Sequence, residues 1–88
     1  MKVLKFGANW CVGCVVMKPR FVEIEKENSW LKTEFCDSDK NPDMMEKWCV
    51  KDLPTFIFLD ENGAEIERMQ GVIKKDILIK KIQELRER

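Results

Sequence analysis

Two cysteines stand three residues apart in Trp10-Cys11-Val12-Gly13-Cys14, and they are the residues of this chain best suited to do chemistry. A thiolate is a nucleophile toward disulfides and also a soft metal ligand. The pair therefore admits three uses: a metal clasp, a static bridge, or a couple that cycles between dithiol and disulfide. Cys36 and Cys49 would have to complete a four-thiolate zinc site, and neither belongs to a second C-x-x-C. The chain has no histidine, which removes the commonest general base and metal ligand. Redox use is the leading expectation, with no metal and no cofactor.

The surrounding pattern supports it. Lys2–Phe6 carries the β-branched and aromatic content of a short strand, which Gly7 closes. From Cys11 onward Met17, Phe21 and Ile24 recur at helical spacing, and Val15 with Val22 is expected to widen that stripe. Pro19 lies inside this helix and predicts a kink rather than a stop. Cys11 thus falls at a helix N-terminus, where unpaired N–H groups and a partial positive charge favour an anion. Cys14 lies one turn inside. Cys11 is expected to be the exposed thiol that attacks a disulfide, and Cys14 to resolve the mixed disulfide that results.

The other elements follow from pattern. Residues 30–37 read as a second strand. Asn41-Pro42 reads as an N-cap followed by proline at the first helical position, with Met44, Met45 and Trp48 as the apolar face of a short helix. Residues 54–60 are the clearest strand, turned at Asp60–Gly63 into a hairpin with 64–70. Ile77, Leu78, Ile82 and Leu85 mark a closing amphipathic helix, preceded by Gly71. The order β-α-β-α-β-β-α predicts an α/β fold, a mixed four-stranded sheet flanked by three helices.

Composition bounds the partners. The 88 residues are 44% apolar and 36% charged, and 16 basic residues balance 16 acidic ones. One domain spanning 1–88 is expected. The balance gives no electrostatic reason to bind nucleic acid or an anionic membrane. Lys5 and Asn9 break the apolar run at the start before it reaches the length of a signal peptide. The chain is expected to be a cytoplasmic monomer.

At this point the sequence resembles the thioredoxin family. The segment Lys5–Cys14, Pro19 five residues after Cys14, the turn Asp37–Asp43, the stretch Asp52–Gly63 with Leu53-Pro54-Thr55, and Gly71 are similar to that family in order and spacing. The resemblance implies a thiol–disulfide oxidoreductase acting on disulfide-containing proteins and recharged by a thioredoxin-reductase-like donor. It implies a cis Leu53–Pro54 bond, with Leu53 and Pro54 facing the cysteines and, together with Trp10, Val12 and Gly13, receiving substrate. The chain departs from the family in three ways. It begins at the active-site strand, which would leave strand 30–36 an exposed edge that could serve association, blunted by Lys32 and Glu34. It has Val12-Gly13 where the family usually has Gly-Pro. Lys5 stands where the family usually has a buried acid beneath the second cysteine, so Lys5 is the candidate tuning residue, acting as a cation, as a desolvated base, or by snorkelling to water. Cys36 falls at a core position. Cys49 falls where relatives often carry glycine, and reads as a surface or regulatory thiol. A glutathione-using, glutaredoxin-like enzyme and a non-enzymatic binding or zinc-holding module are the alternatives.

Overall fold

The computed structural model describes residues 1–87. Its elements are β1 (Lys2–Gly7), α1 (Val12–Glu27), β2 (Lys32–Asp37), α2 (Pro42–Lys47), β3 (Thr55–Leu59), β4 (Glu65–Gln70) and α3 (Lys75–Arg86). The sheet runs β2-β1-β3-β4, with β1 parallel to β2 and antiparallel to β3, and β3 antiparallel to β4. This is the expected order and the expected mixed sheet. Both edge strands, β2 and β4, are polar on much of their surface.

The sheet has a core on each face. Val3, Phe56 and Phe58 pack with Met17, Phe21 and Ile24 of α1 and with Leu78, Ile82 and Leu85 of α3. Leu4, Phe6, Ile57 and Leu59 turn to the other face, where Cys36 and Val50 join them and Met44, Met45 and Trp48 cover them. This division follows from the twofold alternation of side chains along a strand. With both faces covered, β3 reads as the unbroken apolar run Thr-Phe-Ile-Phe-Leu, and all five residues are buried.

Two expectations about helix faces need correction. Val15 and Val22 do not widen the buried stripe of α1, being 59% and 44% exposed. At about 100° per residue they lie roughly 130–150° around the helix from a stripe centred on Met17, Phe21 and Ile24, away from the core. Ile77 is likewise 49% exposed, because Leu78, one residue on, takes the core position. Pro19 lies inside α1, which continues through it, as a kink rather than a stop requires.

Asn41 is the N-cap of α2 and Pro42 its first residue, but the Asn41 side chain makes no cap bond. It donates instead to the Asp37 carbonyl at 3.0 Å, which tightens the β2–α2 turn. The helix ends with Cys49 in the left-handed region at φ 52. Cys49 N–H then bonds the Glu46 carbonyl at 3.1 Å and Val50 N–H the Met45 carbonyl at 2.8 Å. This is a Schellman ending in a place that usually favours glycine. Arg68 on β4 secures it, donating to the carbonyls of Trp48 at 2.7 Å and Cys49 at 3.3 Å while gripping Glu65 through two bonds. Arg68→Ala removes the partners of two helix-end carbonyls. It is expected to cost about 1–2 kcal/mol, or roughly 5–10 °C in a thermal melt of a chain this size.

Candidate active site

The site begins where β1 stops. Gly7 and Ala8 are buried, and the Cys11 amide bonds back to the Ala8 carbonyl at 3.2 Å to close the turn into α1. Cys11 is the N-cap of α1, with extended backbone at φ −88 and ψ 112. Its Sγ accepts the Cys14 amide at 3.2 Å, the bond that a serine or aspartate oxygen makes at an ordinary cap. Negative charge on Cys11 would therefore meet a donated N–H and the positive end of the helix. Both cysteines are free thiols.

Exposure differs from expectation. Cys11, expected to be the exposed thiol, is only 9% exposed, and Cys14 is the more open of the two. Capping the helix draws the Cys11 sulfur inward, while Trp10 and Val12 on either side project into solvent at 68% and 78% exposure. Cys14 sits against Gly7, whose missing side chain leaves space beside it: a Cβ there would lie 3.2 Å from Cys14 Sγ. Its surroundings push the Cys14 thiol up to about 11, by burial first and by its hydrogen bond with Cys11 next. The thiol form therefore dominates below that value. Alkylation of Cys14 is expected to rise about tenfold per pH unit toward pH 11. Peptide mapping after iodoacetamide treatment measures this, and a midpoint at or below the ordinary 9.0 would contradict it.

The wall opposite is the Leu53–Pro54 loop. The bond is cis, as the resemblance implied, and Pro54 is buried. A Cβ on Gly13 would stand 3.1 Å from Pro54 Cδ and 3.2 Å from Val72 Cγ2. Glycine at 13 is what allows the cysteine loop to close on that wall. The Gly71 amide, from a residue at φ 86, binds the Pro54 carbonyl at 2.9 Å and so carries Val72 to the rim. Val72 is 56% exposed and was not singled out from the sequence. Gly71 was a legible break, but which residue it would bring to the site depends on the β3–β4 pairing. Asp39 was also missed: its carboxylate accepts Trp10 Nε1–H at 3.0 and 3.2 Å and steadies the indole.

Lys5 and Cys14 line the same cleft, but the ammonium is drawn elsewhere. Lys5 Nζ lies 3.4 Å from Glu25 Oε1 and 5.5 Å from the centre of the Phe21 ring, and Glu25 also accepts from Thr33. Phe21 and Glu25 stand two and three helical turns beyond Cys14. Cys36 is 5% exposed within the second core, and its thiol is raised by burial and by Glu34. Cys49 is exposed at the end of α2. The four cysteines do not assemble, and among the described residues no group of three or more His, Cys, Asp or Glu is placed to hold a metal ion. Nor is any helix long and apolar enough to cross a membrane.

Comparisons with known proteins agree with this geometry. The thioredoxin family model matches residues 1–84. The chain is 35% identical to thioredoxin H9 of Arabidopsis thaliana over 75 residues, covering 85% of this chain and 53% of that protein. It is 36% identical to an H-type thioredoxin of Picea mariana over 77 residues, covering 88% and 60%. The chain thus spans little more than half the length of these curated relatives. Among solved structures it superposes on the thioredoxin NaTrxh of Nicotiana alata with a TM-score of 0.87 at 34% identity, covering 94% of this chain and 70% of that one. It superposes on a thioredoxin of Trypanosoma brucei brucei with a TM-score of 0.89 at 26% identity, covering 99% and 75%.

Proposed function

The chain belongs to the thioredoxin family, and from that membership and its site we propose that it is a thiol–disulfide oxidoreductase working as a protein disulfide reductase. The observation that carries this reading is the Cys11 sulfur accepting the Cys14 amide as the cap of α1, in a cysteine loop whose Gly13 closes on Pro54. Cys11 is the nucleophile. Its thiolate attacks a substrate disulfide, the Cys11–substrate bond forms, and one substrate thiolate leaves. Cys14, deprotonated, attacks Cys11 Sγ, the Cys11–Cys14 disulfide forms, and the second substrate thiolate leaves. Trp10, Val12, Gly13, Leu53 and Pro54 receive the substrate chain, and Val72 extends that rim. Lys5, the candidate tuning residue, is held to Glu25 and over the Phe21 ring rather than to the sulfurs, so Lys5→Ala should leave the pH profile of Cys14 reactivity unchanged, and a shifted profile would return Lys5 to the mechanism.

The partners are disulfide-bearing proteins and a thioredoxin-reductase-like electron donor, in the reducing cytoplasm. The test is reduction of insulin disulfides with electrons supplied either by a thioredoxin-reductase system or by glutathione. Turnover with the first supports the proposal. Turnover with glutathione alone indicates a glutaredoxin-like enzyme, and no reaction even with a model disulfide indicates a binding module.

A further inference from the structure

A cleft of about 200 Å³ leads to Cys14 between β1, α1 and β2. Its walls are mainly apolar, formed by Gly7, Val15, Val22, Phe35 and Phe56. Gly7 keeps it open beside Cys14. A Cβ at that position would lie 3.2 Å from both Cys14 Sγ and Phe35 Cε1, filling the gap between sulfur and ring. Phe35, Val15 and Val22 are 58%, 59% and 44% exposed, so the mouth of the cleft lies in solvent.

The resolving step needs Cys14 as a thiolate, and the protein has no internal group placed to take its proton. The chain contains no histidine. Among the described residues the ionisable groups lining the cleft besides Cys14 are Lys5 and Lys18, which are donors when charged. Among the described residues no carboxylate lines the cleft; Glu25 holds Lys5 and Thr33, and Asp37, beside Gly7 in the β1–β2 register, accepts the Asp39 amide at 3.0 Å. From α1, Cys11 is tied in the mixed disulfide at this step and offers no base, and from β3 and its preceding loop come only Phe56 and Pro54.

We propose that this cleft is the route by which a small base from solvent reaches Cys14 Sγ and removes its proton during resolution, with Gly7 and Phe35 setting its width. The proposal rests on the oxidoreductase reading. In the step, the base takes the Cys14 proton, the resulting thiolate attacks Cys11 Sγ, the Cys11–Cys14 bond forms, and the electron pair of the Cys11–substrate bond leaves with the substrate thiolate. Water, hydroxide and small neutral amines are the class that fits, since each is far smaller than the space.

Stopped-flow reaction of the reduced protein with a symmetric chromogenic aryl disulfide tests it, Cys49→Ser being carried in every variant, the wild-type reference included, so that this exposed thiol releases no arylthiolate. The first arylthiolate reports attack by Cys11 and the second reports resolution by Cys14. At constant pH and ionic strength, imidazole should at least roughly double the second rate, linearly in its free-base concentration, and leave the first unchanged. Gly7→Ala should lose most of that dependence, and Phe35→Ala, at an exposed position, should steepen it. A second phase independent of imidazole in the wild-type protein overturns the proposal, as does a slope unchanged in Phe35→Ala or in folded Gly7→Ala. If no second arylthiolate is released under any condition, the oxidoreductase reading itself fails.

Discussion

Cys11→Ser is expected to lower insulin reduction by about 10⁴-fold or more, to background, whereas Cys14→Ser should still react once and stop as a mixed disulfide. The asymmetry follows from where each sulfur stands. Cys11 occupies the cap of α1 and accepts the Cys14 amide, so its thiolate gains a hydrogen bond and the field of the helix end. Cys14 is the more open cysteine, and exposure alone would make it the attacker. Its thiol is held at about 11, so near pH 7 only about one molecule in ten thousand carries the reactive thiolate. That raised value is the reason to expect Cys14 to resolve rather than attack. Mass spectrometry of the two variants after incubation with a disulfide-bearing protein decides the point. A covalent adduct on Cys11→Ser, and none on Cys14→Ser, would interchange the two cysteines.

The second large effect concerns stability. Phe21→Ala is expected to cost about 3–5 kcal/mol, the range for deleting a buried aromatic ring. Phe21 is 1% exposed, its ring centre lies 4.8 Å from that of Phe56, and Lys5 Nζ lies over its face. Chains of this length have roughly 4–13 kcal/mol of total stability, so the variant is expected to be partly unfolded at 37 °C. Replacement by leucine keeps much of the volume and should recover more than half of the loss. Urea unfolding followed by tryptophan fluorescence measures both. A cost below about 1 kcal/mol for the alanine variant would mean that α1 is not anchored to the sheet through this ring.

The same ring shows how far the amino-acid order alone could reach. The spacing of Met17, Phe21 and Ile24 was enough to place a helix and name its buried stripe, because a 3.6-residue period leaves little choice of face. The apolar run Phe56–Leu59 between Pro54 and the Asp60–Gly63 turn was likewise enough to mark a strand. Val15, Val22 and Ile77 were misplaced because an apolar residue off the buried stripe carries the same composition signal whether or not a neighbour covers it. Asn41 was rightly taken as a cap position, yet its side chain turned back to Asp37, since a short polar side chain chooses among backbone partners that only the folded turn presents.

The active pair divides the same way. Its place at a helix start was legible from three residues of spacing and the helical pattern that follows, all of them local. Local too were the breaks at Gly7 and Gly71 and the Leu53-Pro54 segment. What tertiary structure alone decided was everything that depends on residues distant in the chain meeting. It set Val72 and Pro54 against Gly13, gave Trp10 its partner in Asp39, drew Lys5 to Glu25, and left Cys14 facing a cleft that Gly7 and Phe35 define. Spacing determines which residues share one element. Only the packing of elements against one another determines which sulfur is covered, which charge is paired and where solvent enters.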